Sequence, residues 1–324
     1  MKRLLFYILF LLTAAAQSCF AQHMVQKESY LKDDVSVIGL PDYPPFSYYE
    51  LDNRSNSIYY SAFLKPLQDI AQRNEFKLKI SYFMGIPTLE NVILDIRSGQ
   101  SQFFLGAYSN TKMFTGIELV YPAVVSNPIH VITLPETQEK IKSAKDLTNL
   151  KGVISKTEYL SDFVLRKIKP LKLTYLESPY DTYEKLFTGE ADYIIGGLYY
   201  NRIMASRYGI EQYLSYSTKP LFKIPVFVAL SKLTPQMSLY EKILTQEFNK
   251  PDFGNAVKKE ILRMVEEEIT KNQGIVPPAF ASHIVPAAAD TELPVTDAPG
   301  TNNGGKIVEQ QQKEKSIDEV LDGI

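Results

Sequence analysis

The 324-residue chain contains no tryptophan, one cysteine and three histidines, and the last two shortages exclude several kinds of site. A single cysteine, Cys19, can form neither an intramolecular disulfide nor a thiolate metal cluster. The histidines His23, His130 and His283 are scattered along the chain, so we expect no metal site and no cofactor. The sequence also has no G-x-S-x-G elbow, phosphate loop or zinc spacing, so no catalytic residue is assigned.

The chain also lacks an excess of charge of either sign. Its 35 basic and 37 acidic side chains give a formal net charge of -2. This balance provides no electrostatic basis for nucleic-acid binding, and we expect no nucleic-acid partner. A hydrophobic content of 45% is enough for one or two packed domains. Aromatic rings are plentiful, with 21 tyrosines and 17 phenylalanines.

The N-terminal apolar run, Leu4–Leu12, is too short for a comfortable membrane span, which needs about 20 residues. Lys2 and Arg3 precede the run, and small residues follow it. A positive start, an apolar middle and a small-residue end are typical of a secretory signal peptide, predicted here over residues 1–21. We therefore expect the protein to be exported to the periplasm.

The end of the leader can be processed in more than one way. Cleavage after Ala16 or after Ala21 would leave a small residue at the cut. Lipid anchoring at Cys19 is a third option, which is disfavoured because Gln17 replaces a small residue of the lipidation motif.

The first predicted strand ends in two aromatic residues. The apolar run Val35–Ile38 reads as a buried strand. It is followed by Tyr43, then by Pro44 and Pro45, which restrict the backbone, and then by Phe46. Rings held at the carboxyl end of a sheet strand lie where open α/β sheets bind ligands.

Beyond this strand, segments of strand character alternate with segments of helical spacing, and residues 51–57 form a polar turn. Such alternation predicts parallel sheets flanked by helices. The remaining predicted strands cover residues 76–82, 102–106, 129–134, 153–155, 172–175, 192–196 and 221–230. The predicted helices cover residues 62–73, 89–97, 159–168, 180–186 and 239–269, the last broken at 249–254.

Two segments have the same local pattern. Ser98–Gly106 and Thr188–Gly196 each contain a glycine that follows a helix, then a buried strand that ends in glycine. The repetition predicts two similar lobes with a cleft between them.

Several phrases occur in the order found in one family of binding proteins. They are Tyr43–Phe46 (YPPF), Tyr121-Pro122, Ala144–Gly152 and Leu186–Gly196. Over residues 30–270, the chain resembles the periplasmic solute-binding proteins of the polar amino-acid type (extracellular solute-binding protein family 3). The resemblance implies an α/β, type 2 periplasmic-binding-protein fold. In this fold each of two lobes has a mostly parallel sheet flanked by helices, and two crossed hinge strands join them.

The resemblance also implies how the chain is divided and what it does. Lobe 1 would comprise residues 30–125 and 220–270, and lobe 2 residues 126–219, with hinges near 124–129 and 213–221. The lobes would close on a small organic solute and present it to a membrane transporter of the ABC type. Residues 271–324 are rich in Pro, Ala and Gly at first and are predicted to be a disordered tail.

The chain departs from this family where amino-acid binders hold the ligand's α-carboxylate and α-amine. Lys112 or Met113 stands near the place of the usual arginine, and lysine cannot form the same two-pronged contact. Gly196 and Gly197 occupy the place of the amine-binding aspartate, and Tyr59–Ser61 replaces the acidic residues expected at the first helix. An α-amino acid is therefore disfavoured as the ligand.

The predicted cleft is instead rich in tyrosine, which suits a flat, polar-rimmed or cationic organic solute. Backbone amides at residues 155–157 could meet an anion, or could simply form a helix cap. The predicted ligand-binding residues are Tyr43, Phe46, Tyr60, Tyr108, Lys112, Lys156, Thr157 and Gly197.

Two alternatives to solute capture remain open at this stage. One is an interaction or scaffold protein with a degenerate pocket, whose terminal segment Ser316–Ile324 forms a short amphipathic helix that binds a protein partner. The other is a dehydratase-like enzyme using Asp42, Glu50 or Glu158, although we expect the protein not to be an enzyme.

Overall fold

The computed structural model describes residues 34–281, apart from residues 82, 109–115, 142 and 161. The predicted signal peptide, Cys19, Lys112, and the predicted terminal helix Ser316–Ile324 lie outside the described residues. Within the described part of the chain, no helix combines the length and apolar character needed to cross a membrane.

Lobe 1, as we use the term, contains the first half of the described chain together with its last strand and two helices. The strands of the first half are β1 (Asp34–Gly39), β2 (Asp42–Tyr43), β3 (Ser47–Leu51), β4 (Ser57–Tyr60), β5 (Lys77–Ile80), β6 (Phe103–Tyr108) and β7 (Ile117–Leu119). The helices of the first half are α1 (Leu64–Arg73) and α2 (Leu89–Ser98).

Lobe 2 is formed by the next, continuous segment of the chain. Its strands are β8 (Val125–Thr133), β9 (Gly152–Ser155), β10 (Thr174–Leu176), β11 (Tyr193–Gly197) and β12 (Ser215–Tyr216). Its helices are α3 (Pro135–Gln138), α4 (Asp162–Ile168), α5 (Pro179–Phe187) and α6 (Leu198–Arg207).

The chain then returns to lobe 1 through β13 (Phe222–Ser231), α7 (Met237–Phe248) and α8 (Pro251–Lys271). The break predicted at residues 249–254 falls between α7 and α8, where Pro251 begins the second helix. Single 3₁₀ turns cover Asp146–Asn149, Lys169–Leu171, Glu211–Tyr213 and Ala279–Ala281.

The main sheet runs through both lobes. Its strand order is β10-β9-β11-β8-β13-β6-β1-β5, with β12 added to β8 and β7 added to β13. Pairing is parallel at the two ends of this path and antiparallel where β8 and β13 cross between the lobes. The prediction of mostly parallel lobes joined by two crossed strands is thus confirmed.

β1 lies between β6 and β5 in the main sheet, and its apolar side chains are buried. Val35, Val37 and Ile38 are at most 1% exposed, and the strand pairs with β5 on one side and β6 on the other. A strand that is covered on both faces needs such a run of β-branched residues. This packing fixes the position of the turn that carries Tyr43.

A small antiparallel sheet, β2-β3-β4, was not predicted from the sequence. Only its hairpin loop was recognised, as the polar turn at 51–57. Paired tyrosines hold its strands together: the rings of Tyr48 and Tyr60 stack at 5.1 Å, and those of Tyr49 and Tyr59 lie 4.9 Å apart. Cross-strand aromatic pairs of this kind stabilise antiparallel strands.

Helices from the two lobes contact each other where α6 packs on α8. The Arg207 guanidinium donates from Nε to Glu268 Oε2 at 2.9 Å and from Nη2 to Glu50 Oε1 at 3.1 Å. The hydroxyl of Ser206 also donates to the backbone oxygen of Glu268 at 3.1 Å. Because the Glu268 side chain is only 11% exposed, this ion pair is largely shielded from solvent.

A disordered tail was predicted from residue 271, but the chain up to Ala281 packs on lobe 2. After α8 the chain crosses to lobe 2, where the ring of Phe280 lies 5.2 Å from Tyr180 and 5.7 Å from Phe187. Ala281 is fully buried. At Gly209, a Cβ atom would lie 2.4 Å from the backbone oxygen of Ile275, so the close approach of this segment requires glycine. Residues after 281 lie outside the described part.

Replacing Arg207 with methionine should loosen the contact between α6 and α8. Methionine keeps much of the apolar stem but leaves Glu268 without its guanidinium partner, so we expect a loss of about 2 kcal/mol in the free energy of unfolding. Urea denaturation measures this loss.

Arg263→Met, on α8, is the matched control. Arg263 pairs with Glu260 and Glu267 but is 49% exposed, so its replacement should cost less than about 1 kcal/mol. Equal effects of the two substitutions would contradict a special role for the α6–α8 contact.

Candidate functional site

Polar and aromatic side chains from both lobes meet where several strands end. Tyr43 follows β1, Tyr108 is the last residue of β6, Glu158 follows β9, and Gly197 is the last residue of β11. Asn127 comes from the crossing strand β8. The carboxyl ends of sheet strands are the usual place for a ligand crevice in α/β proteins.

Glu158 accepts hydrogen bonds from three groups. The Tyr43 hydroxyl donates to Oε2 at 2.7 Å, and Asn201 Nδ2 donates to Oε1 at 2.7 Å. The backbone N–H of Gly197 reaches both carboxylate oxygens, at 3.1 and 3.2 Å. Burial raises the pKa of this carboxyl above its usual value, and the donated hydrogen bonds oppose the rise.

Asn127 connects this network to Tyr108, a second residue of lobe 1. Its Nδ2 lies 3.1 Å from the hydroxyl oxygen of Tyr43 and 3.4 Å from that of Tyr108. Its Oδ1 is buried and has no hydrogen-bond partner among the described residues. A buried acceptor without a partner costs free energy, so this atom is available to a donor that enters the site. We call Tyr43, Tyr108, Asn127, Glu158, Gly197 and Asn201 the interlobe network.

Aromatic rings surround the interlobe network. The ring of Tyr43 stacks on that of Tyr200 with centroids 4.5 Å apart and planes 18° from parallel. Tyr159 meets Tyr43 edge-on at 5.2 Å, and Phe46 meets Tyr199 at 6.1 Å. Tyr200, Tyr159 and Tyr199 belong to lobe 2, so these ring contacts connect the two lobes.

The Tyr43 side chain itself occupies the space between the lobes. Tyr43 is fully buried, and its burial, followed by the charge of Glu158, raises the pKa of its hydroxyl well above the usual value. A Cβ atom on Gly197 would lie 2.7 Å from the Tyr43 hydroxyl oxygen and 3.0 Å from Asn127 Nδ2. A side chain at Gly197 would therefore force the Tyr43 hydroxyl to shift.

The structure brings half of the predicted ligand-binding residues together. Tyr43, Tyr108 and Gly197 belong to the interlobe network, and Phe46 lies beside it with its ring 6.1 Å from that of Tyr43. Thr157 stands at the edge, its Oγ1 3.0 Å from the hydroxyl oxygen of Tyr200. Solute contact by these residues stays a prediction.

The other predicted residues lie elsewhere. Tyr60 stacks on Tyr48 in the small sheet. Lys156 forms an ion pair with Glu177 at the surface, where its side chain is 52% exposed. Lys112 is outside the described residues.

The amides at residues 155–157 are engaged within lobe 2. Lys156 N donates to the backbone oxygen of Leu176 at 2.8 Å, and Thr157 N donates to Ser155 Oγ at 3.2 Å. Helix α4 begins only at Asp162, not at 159 as the sequence indicated. The Lys156 and Thr157 amides therefore already have acceptors in lobe 2, and anion binding by them stays a prediction.

The three candidate acids have different environments. Glu50 accepts from Arg207 in the contact between helices, and Asp42 lies exposed at the start of β2. Glu158 alone of the three is a member of the interlobe network.

Sequence reasoning missed Asn127 and Asn201 and named Glu158 only as a candidate acid. A signal for Asn127 was its place in the hinge predicted near residues 124–129, because hinge strands run between the lobes. β8 begins at Val125, earlier than the strand predicted over residues 129–134, so His130 lies well inside it.

The strand topology, with two lobes joined by two crossed strands, defines a type 2 periplasmic-binding-protein fold. No protein-family model matches the chain, and no curated protein is significantly similar to it in sequence. The comparison with solved structures does find similar folds.

The chain is similar to AbpA of Streptococcus pneumoniae, an amino-acid ABC transporter substrate-binding protein bound to L-arginine. Identity is 15%, the alignment covers 75% of this chain and 98% of that one, and the TM-score is 0.54. It is likewise similar to the periplasmic VFT2 domain of BvgS from Bordetella pertussis, with 17% identity, coverage of 75% and 97%, and a TM-score of 0.54.

A third similar structure is an ancestral amino-acid-binding protein described as a precursor of cyclohexadienyl dehydratase. Identity is 13%, the alignment covers 75% of this chain and 99% of that one, and the TM-score is 0.51. At these identities the similarity establishes the fold, while the function has to be argued from the site.

The raised pKa of Glu158 predicts a dependence of stability on pH. The folded chain holds this proton to a higher pH than the unfolded chain, whose carboxyl titrates near 4.5. The stability contributed by the group is therefore fully present below that value and is lost as the pH rises through the folded-state pKa. From about pH 4.5 upwards, wild type should lose unfolding free energy relative to Glu158→Gln.

Urea denaturation of both proteins over this range measures the difference. Glu177→Gln, at a carboxylate with 78% exposure, is the control for removing an acid from the surface. A constant difference between wild type and Glu158→Gln would contradict the effect of burial.

Proposed function

We propose that the protein is an exported solute-binding protein that holds a small organic solute between its lobes at the interlobe network. The observation that carries this proposal is the buried Glu158 carboxylate, which donors from both lobes surround. Beside it, the acceptor Asn127 Oδ1 has no partner among the described residues. A carboxylate and a free amide oxygen together favour a solute that donates hydrogen bonds.

The solute class follows from charge and shape. Glu158 supplies the negative charge, so a cationic donor would gain the most from it in a site shielded from water. Tyr200 presents a ring face on which Tyr43 now stacks. A planar cation could stack on that face while donating to the carboxylate, as a guanidinium does in proteins.

Tyr43 takes the place of this solute in the structure. Its ring stacks on Tyr200 and its hydroxyl donates to Glu158, the two contacts that we assign to the solute. We infer that the solute displaces the hydroxyl from Glu158 and that the ring moves aside to cover it. Binding is then an exchange of an internal donor for an external one.

The similar structure of AbpA contains L-arginine, a guanidinium compound, which agrees with this class. The present chain has no arginine at the place where amino-acid binders of this type hold the carboxylate; Lys112 or Met113 stands there. We therefore favour a guanidinium or amine without an α-carboxylate over an amino acid.

Delivery to a membrane transporter from the periplasm is part of the proposal. Its support is the leader-like N-terminus and the similarity to transporter substrate-binding proteins. The absence of catalysis stays a prediction, because the same fold occurs in a precursor of a dehydratase.

Agmatine, which carries a guanidinium and an amine but no carboxylate, is the probe for this site. Isothermal titration should give binding to wild type, and Glu158→Gln should weaken it at least about tenfold through the loss of charge. Tyr43→Phe removes the competing hydroxyl and keeps the ring, so it should bind agmatine up to about tenfold more tightly.

Tyr121→Phe is the matched control, because Tyr121 is 60% exposed and packs on Phe227 away from the network. Arginine should bind no more tightly than agmatine. If arginine bound tenfold more tightly, the proposed solute class would be wrong. If no amine, guanidinium, amino acid, sugar or organic acid bound, solute capture itself would be wrong and an interaction protein would be favoured.

A further inference from the structure

A cavity lies outside the interlobe network, between α6, β12 and α8. Its volume is about 410 Å³, within the usual range for small-molecule sites. Lobe 2 contributes Leu198 and Tyr216 to its walls, and lobe 1 contributes Leu262 and Val265. His130, from the crossing strand β8, also lines it. We call this space the α6–α8 cavity.

His130 brings an unused acceptor to the α6–α8 cavity. The residue is 2% exposed, and its Nδ1 lies 2.7 Å from the backbone oxygen of Ser217. A carbonyl oxygen only accepts, so Nδ1 carries the hydrogen and Nε2 is left with a lone pair. Nε2 is buried and has no hydrogen-bond partner in the described part of the chain.

Tyr216 brings an unused hydroxyl to the same cavity. Its oxygen is also buried without a hydrogen-bond partner among residues that the structure describes. Tyr216 pairs with Ile132 across β12 and β8, so its side chain and those of Ile132 and His130 lie on one face of the sheet. Two buried polar atoms on one cavity wall, each lacking a partner, are uncommon in native proteins.

The remaining lining is apolar, polar without charge (Gln212, Ser217 and Thr218) or already neutralised. Arg202 Nε donates to Glu211 Oε1 at 2.8 Å, so these two charges in the wall compensate each other. Leu198, Leu262 and Val265 provide apolar surface. A neutral ligand with an apolar body and one hydroxyl or amide group matches this arrangement better than an ion does.

We propose that the α6–α8 cavity is a second binding site, for a small neutral amphipathic molecule whose hydroxyl or amide group hydrogen-bonds with His130 and Tyr216. The donor of the ligand satisfies His130 Nε2, and its oxygen accepts from the Tyr216 hydroxyl. Because the walls come from both lobes, a bound molecule also stabilises the closed arrangement of the lobes.

The test uses 4-fluorobenzyl alcohol and 4-fluorotoluene, which share an apolar ring and differ in the hydroxyl. Fluorine NMR titration of the full chain should give binding of the alcohol about tenfold tighter than that of the toluene. Tyr216→Phe should reduce the affinity for the alcohol to near that for the toluene. Leu262→Trp, which fills the cavity, should weaken binding of both probes.

Tyr240→Phe is the matched control, because Tyr240 is another buried tyrosine and packs on Phe76 and Phe103 in lobe 1. Thermal unfolding of each variant shows that it is folded. Equal affinities for the two probes, no binding of either, or unchanged binding in both cavity variants would overturn the proposal. A loss of binding in Glu158→Gln would also overturn it, since the probe would then sit in the interlobe network.

Discussion

The hydrogen bond from Tyr43 to Glu158 is the contact on which the arrangement of the two lobes depends. It joins the turn after the first strand of lobe 1 to the end of a lobe 2 strand at 2.7 Å. Glu158 is buried where the lobes meet. Its charge is tolerated there because Gly197 and Asn201 also donate hydrogen bonds to it. An isolated buried carboxylate would be costly.

This contact links closure to ligand chemistry. A solute that enters must replace the Tyr43 hydroxyl with donors of its own. Its binding is therefore favoured only by the amount by which its contacts with the closed lobes exceed those of the hydroxyl. The α6–α8 contact, in which Arg207 pairs with Glu268 and Glu50, holds the lobes together from another side. The interlobe network and the α6–α8 cavity share the same closed arrangement, so occupancy of either space should favour occupancy of the other.

Much of the fold was predictable because its signals are local. Apolar runs such as Val35–Ile38 and the glycines that follow helices identified the strands in order, and Tyr43 and Tyr108 were correctly expected at strand ends. The hydrogen bonds of the network were not predictable, because Asn127 and Glu158 meet only after two lobes fold and close. The small sheet depends on pairing between tyrosines that sequence spacing alone does not reveal.

Measuring the distance between the lobes shows whether the Tyr43–Glu158 hydrogen bond holds them together. In a chain starting at residue 22, which has no native cysteine, spin labels at Glu90→Cys and Thr174→Cys would report on exposed positions of lobe 1 and lobe 2. Without solute, we expect one narrow distance distribution for the otherwise wild-type protein and a broader, longer one when Glu158→Ala removes the acceptor. Identical distributions in the two proteins would contradict the claim that the Tyr43–Glu158 contact holds the lobes together.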